Sequence, residues 1–163
     1  MNAKNLVIGL NWVGDVLLSF PAIYDMGINE KVDIITRPHL SELYRLHPSV
    51  GKVWKVETKR PLWEFMTPLL AVRKMRYDKI VVLPRSFRSG MASFICGGKE
   101  RIGYRGELRD LLLNKAVSLP QNYEKIHESQ LHSFLVSKAG FKAFGKKLIP
   151  EKECLKPPDG PLK

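Results

Sequence analysis

The chain has 163 residues, 44% of them hydrophobic and 26% charged, ordinary values for one soluble domain with a core of its own. Its 27 Lys and Arg against 16 Asp and Glu leave a net charge of +11, which points to anionic partners. Cys96 and Cys154 are too few for a disulfide scaffold, and no apolar run approaches the roughly 18 residues needed to cross a bilayer.

Strands are predicted over 5–10, 32–36, 53–56, 79–83, 100–104 and 116–119, and helices over 13–26, 40–46, 62–75, 89–95 and 126–139. The first strand is a short apolar run rich in branched residues, Leu6-Val7-Ile8, closed by Gly9. A loop with a second glycine, Gly14, leads into a helix that is expected to turn Val16, Leu17 and Phe20 toward a core. The five apolar residues before Asn11 are fewer than the roughly 7–15 of a secretory signal. Pro38, Pro48, Pro61 and Pro84 punctuate element boundaries, and Gly140 suits the position after a last helix. Trp12, Trp54 and Trp63 lie in apolar runs, where core packing is the expectation. Strands alternating with helices imply right-handed crossovers. The fold class is therefore α/β, Rossmann-like, with a mostly parallel sheet and helices on both faces. The domain is expected over 1–145, and the Pro/Gly-rich, charged stretch over 146–163 reads as a linker or tail.

The first strand–loop–helix junction carries the chemistry, because ligands of such sheets sit at the carboxyl ends of strands. The spacing Gly9-x4-Gly14 copies the glycines of a phosphate-cradling loop, but Asp15 and Val16 follow where that loop needs Lys and Ser or Thr. A carboxylate thus takes the place of a phosphate-binding lysine and is expected to face the cleft. It suits a base or a group that binds hydroxyls. The alternative is an acidic residue that stabilises the helix dipole by about 0.3–1 kcal/mol.

The basic residues are clustered. Arg85, Arg88, Lys99, Arg101, Arg105 and Arg109 follow the central strand, and Arg60 precedes a helix that ends in Arg73, Lys74 and Arg76. Lysines at helix ends and in the tail read as solvated charge. Arginines near strand ends present planar forks that match carboxylate and phosphate. His39, His47, His127 and His132 are scattered, so they are expected to be exposed or capping, with no metal site. A basic nucleic-acid- or nucleotide-binding module is the alternative reading of this charge. It lacks a recognition helix, a zinc frame and a Gly-x-Gly-x-x-Gly turn.

Three blocks carry a resemblance. The opening Gly9-Leu10-Asn11-Trp12-Val13-Gly14-Asp15-Val16-Leu17-Leu18-Ser19 is the first. The second is Leu83-Pro84-Arg85-Ser86-Phe87-Arg88, a strand ending in Leu-Pro before Ser-Phe and a basic residue. The third is Gly103-Tyr104-Arg105-Gly106-Glu107-Leu108-Arg109, with Leu111-Leu112-Leu113-Asn114 behind it. In this order they resemble the lipopolysaccharide heptosyltransferases of glycosyltransferase family 9, nearest the heptosyltransferase II branch. The resemblance runs over about the first 140 residues. Family members often carry a neutral amide and a lysine where this chain has Arg85 and Arg88.

The resemblance implies the N-terminal, acceptor-binding half of a GT-B enzyme, with the C-terminal donor-binding domain absent from these residues. It implies inverting transfer of heptose from ADP-L-glycero-D-manno-heptose to the lipopolysaccharide inner core, with no cofactor besides that donor substrate. Direct inversion needs one base for the acceptor hydroxyl, and Asp15 is the candidate. Asn11 and Ser19 would orient it or a sugar hydroxyl. Arg60, Arg85, Arg88, Arg105 and Arg109, with Ser86, would hold the acidic sugars and phosphates of the acceptor. The expected setting is cytoplasmic, peripheral at the anionic inner face of the inner membrane, with no nucleic-acid partner.

Overall fold

The computed structural model describes residues 4–57, 61–106 and 108–142. Six strands form one sheet: β1 (Asn5–Ile8), β2 (Val32–Thr36), β3 (Val50–Lys55), β4 (Lys79–Val82), β5 (Glu100–Tyr104) and β6 (Lys115–Val117). Their order is β3-β2-β1-β4-β5-β6, and all five pairings are parallel. Five helices cover it: α1 (Val13–Gly27), α2 (Ser41–Arg45), α3 (Leu62–Arg73), α4 (Phe87–Cys96) and α5 (Glu128–Lys138). This is the expected Rossmann-like arrangement, and its strand order reverses between β1 and β4.

Burial on both faces explains the unbroken apolar strands. Val7 and Val81 join one core with Val16 and Ile23 of α1 and Leu131 and Leu135 of α5. Leu6, Ile8, Ile80 and Val82 point the other way, into a core with Phe65 and Leu69 of α3 and Ala92 and Ile95 of α4. Each large side chain fully buried in this way contributes about 1.5–3 kcal/mol. The predicted α3 and α5 ran past the ends observed, and the predicted third strand began late because Gly51 and Lys52 interrupt its apolar pattern at the sheet edge. Predicted 40–46 opens as a short 3-10 turn, Pro38–Leu40, before α2. Gly140 follows α5 with φ +89°, the left-handed conformation expected of it.

Several packing expectations are corrected. Val16 is buried and Phe20 half-buried against the core, but Leu17 lies on the outer side of α1 and is exposed. Trp12 and Trp63 are 73% and 71% exposed, because each precedes or opens a helix at the sheet rim. Trp54 is half-buried and donates from Nε1 to the Tyr77 hydroxyl at 3.1 Å.

The histidines divide. His39 is exposed, and His127 caps α5 by accepting the Ser129 amide. His47 is buried instead: the Ser49 amide donates to Nδ1 at 3.2 Å, so Nε2 carries the proton and meets the Phe20 carbonyl at 3.1 Å. This ties α1 beside its internal Pro21 to the turn before β3. His132 is also buried, between α5 and the sheet core, and neither ring nitrogen has a hydrogen-bond partner. The expected linker over 146–163 lies outside the described residues.

Candidate active-site cleft

A cleft of about 290 Å³ opens at the carboxyl ends of β1, β2 and β4, on the α3–α4 side of the sheet. Gly9 and Asn11 come from the loop after β1, Thr36 and Arg37 from the end of β2, and Pro84, Ser86, Arg88 and Ser89 from the passage into α4. Phe65 and Val56 form an apolar wall. The cleft therefore sits at the strand-order switch, where open α/β sheets bind ligands.

The start of α4 is built by Ser86. Its hydroxyl accepts the Ser89 amide at 3.3 Å, which satisfies one orphan donor of the first turn. The same turn brings Arg88 into the cleft, where its guanidinium stacks over the Phe65 ring at 4.5 Å. A helix start and an arginine on one wall favour anionic groups.

Asp15 stands in the first turn of α1, half-buried at the rim. It does not join the cleft lining that holds Asn11, which corrects the expectation of a carboxylate facing straight into it. The reason is local: the loop after β1 crosses the top of the sheet, and α1 then packs on the α5 face, opposite α3 and α4. Ser19, one turn further on, is fully buried, and its hydroxyl donates to the Val16 carbonyl at 2.6 Å. It braces the loop from within and makes no part of the cleft surface.

Arg85, Arg105 and Arg109 lie outside the cleft lining. Arg85 pairs with Glu128 of α5 at 3.0 Å, and Arg105 pairs with Asp110 at 3.3 Å. Arg109 is 1% exposed, wedged between α4 and β5 against Gly90 and Gly103, and no guanidinium nitrogen has a hydrogen-bond partner. Burial lowers its pKa from the usual guanidinium value, with Asp110 opposing that shift. The structure thus brings Asn11, Ser86 and Arg88 together, leaves Asp15, Arg85 and Arg105 outside the cleft lining, and buries Ser19 and Arg109. Arg60 lies outside the described residues.

Two cleft residues escaped the sequence reading. Thr36 is buried with its hydroxyl unpaired, and Arg37 follows it directly. Their signal was position alone, immediately after a buried strand and before Pro38. Among the described residues no three His, Cys, Asp or Glu side chains cluster as metal ligands. Among the same residues no helix is long and apolar enough to cross a membrane.

No family model matches the chain. Lipopolysaccharide heptosyltransferase 2 of Escherichia coli strain K12 is 32% identical over 126 residues, which is 68% of this chain and 34% of that protein. A solved structure of E. coli ADP-heptose lipopolysaccharide heptosyltransferase II superposes with TM-score 0.70 and 26% identity, over 91% of this chain and 44% of that one. Over that shared domain, the chain is a homologue of the lipopolysaccharide heptosyltransferases. The E. coli heptosyltransferase WaaC with ADP-2-deoxy-2-fluoro heptose shares the fold at TM-score 0.72 and 18% identity, over 86% of this chain and 49% of that one. The chain spans about a third of the length of the curated heptosyltransferase it matches. The expected family resemblance holds, and the Rossmann-like domain matches about half of a solved heptosyltransferase.

Proposed function

We propose that this chain supplies the acceptor half of an inverting heptosyltransferase, which transfers heptose from ADP-L-glycero-D-manno-heptose to the lipopolysaccharide inner core. The observation that carries the reading is the cleft at the strand-order switch, walled by Asn11, Ser86 and Arg88, with Asp15 four residues beyond Asn11 in the first turn of α1, in a domain homologous to heptosyltransferases.

Asp15 takes the proton of the acceptor hydroxyl as that oxygen bonds to the anomeric carbon of the donor. The bond from that carbon to the ADP oxygen breaks, and ADP leaves with the electron pair. Asn11 orients the hydroxyl. Arg88 and the start of α4 hold phosphate or carboxylate groups of the acceptor, and Arg85 and Arg105 add positive potential at the rim. Donor binding and stabilisation of the leaving ADP fall to a second, donor-binding domain.

The acceptor of such an enzyme is an amphiphile, so the reading includes an anionic membrane surface at the inner face of the inner membrane. What supports this is the outer side of α3 and α4, where Trp63, Leu70, Phe87 and Phe94 are exposed. Arg73, Lys74 and Arg76 stand at the end of α3, and Glu64 is the sole acid within the two helices. Apolar side chains ringed by cations suit an anionic bilayer interface.

The test uses the 163-residue chain. It is expected to melt cooperatively and bind phosphorylated, Kdo-bearing core oligosaccharide, without releasing ADP from ADP-heptose. Tighter binding of duplex DNA than of core oligosaccharide at matched salt would replace this reading with the nucleic-acid one.

A further inference from the structure

The loop that carries Asn11 and Asp15 is held from an element that enters the chain some thirty residues later. Tyr44 of α2 is fully buried, and its hydroxyl accepts the Leu10 amide at 3.0 Å. The Ser19 hydroxyl gives its proton to the Val16 carbonyl at 2.6 Å. Two buried bonds therefore hold the segment, one from the Leu10 N–H to the Tyr44 oxygen and one from the Ser19 O–H to the Val16 carbonyl. They bracket the loop. Between them the Val16 amide closes the first turn of α1 on the Trp12 carbonyl at 2.9 Å.

Gly9 fits the same arrangement. A Cβ at that position would lie 2.6 Å from the Tyr44 hydroxyl and 3.0 Å from the Ile35 carbonyl, so only glycine lets the phenol reach the loop. Burial pushes the Tyr44 pKa up to about 12, with the negative charge of Asp15 adding to the effect. The phenol keeps its proton at physiological pH.

We propose that Tyr44 is a positioning residue, whose hydroxyl, through the Leu10 amide, fixes the loop that leads from the cleft residue Asn11 to Asp15 at the start of α1. Its importance for transfer rests on the reading of Asp15 as the base, but the clamp itself is testable without activity.

The experiment is amide hydrogen exchange, resolved by residue, on the 163-residue chain and its Tyr44→Phe variant. Phenylalanine keeps the buried ring and removes only the hydroxyl. Exchange is expected to accelerate ten-fold or more over residues 10–16, including Val16, while amides 80–82 of β4 change no more than the overall melting shift requires. Ser19→Ala removes the bond to the Val16 carbonyl at the other end of the loop and should loosen the same segment, which keeps the test in hand if Tyr44→Phe does not fold. The clamp is overturned if exchange rises uniformly, which marks a purely structural tyrosine, or if it rises at Leu10 alone. Asp15→Asn leaves the Tyr44–Leu10 bond intact and should exchange like the parent. A failure of Asp15 as base would show only in kcat, and so stays separate.

Discussion

The Arg88 guanidinium lies 4.5 Å from the centre of the Phe65 ring, and both side chains line the cleft. The stack holds a planar cation against an apolar wall, where it loses part of its hydration and binds an anion more strongly than a solvated lysine would. Arg88→Gln should therefore weaken binding of phosphorylated core oligosaccharide about ten-fold or more, in line with the roughly 1.5–3 kcal/mol of a hydrogen bond to a charged group. Arg105→Gln should cost less, because Arg105 is exposed and already paired with Asp110. Titration calorimetry at two salt concentrations measures both. Equal losses for the two variants would mean diffuse charge and not a seat at Arg88.

The exposed face of α3 and α4 leads to a second expectation. The chain should co-sediment with vesicles containing anionic phosphatidylglycerol and not with purely zwitterionic ones. A double variant, Trp63→Ser with Phe94→Ser, should reduce that binding about a hundred-fold or more, since each apolar side chain buried in the interface contributes about 1.5–3 kcal/mol. Trp12→Ser, at the rim beside α1, should not. If the double variant binds as the parent does, the attraction is net charge alone. If the parent dimerises through this face, sedimentation equilibrium will show it, and the membrane reading fails.

Acid should destabilise the domain through its buried histidines. Burial lowers the His132 pKa to about 4, with Arg85 adding repulsion, and burial also lowers that of His47. Each binds fewer protons folded than unfolded, so the stability it contributes is fully present above about pH 6.5 and falls as the pH drops toward the folded value. At about 1.4 kcal/mol per pH unit, His132 alone accounts for a loss of about 3 kcal/mol between about pH 6.5 and 4. Denaturant melts across that range should show the decline, and His132→Phe should flatten it. An unchanged slope would place the proton uptake elsewhere.

Much of this architecture is legible in the residues. Leu6-Val7-Ile8 and Ile80-Val81-Val82 are apolar on both faces, which only a covered parallel strand explains, and the order of strands and helices follows from that. The cleft was legible in part, because its walls come from loops at strand ends that Gly9 and Pro84 announce. Exposure was not legible. Trp12 and Trp63 look like core residues in sequence, and Arg109 like a surface one, because whether a side chain at a helix start turns in or out depends on its neighbours across the sheet. Thr36 and Tyr44 carried no signal for the same reason. Their roles arise from packing against a loop whose sequence lies far away.

The most direct test of the account is the turnover of Asp15→Asn with a donor-binding half supplied on the same polypeptide. Asparagine keeps the size and the place at the start of α1 but cannot take a proton, and a positioned base contributes about 10²–10⁴-fold to rate. The account predicts a kcat loss of that order, acceptor KM little changed, and a melting temperature close to the parent's. Near-normal kcat with a lowered melting temperature would make Asp15 a helix-start residue and contradict the mechanism.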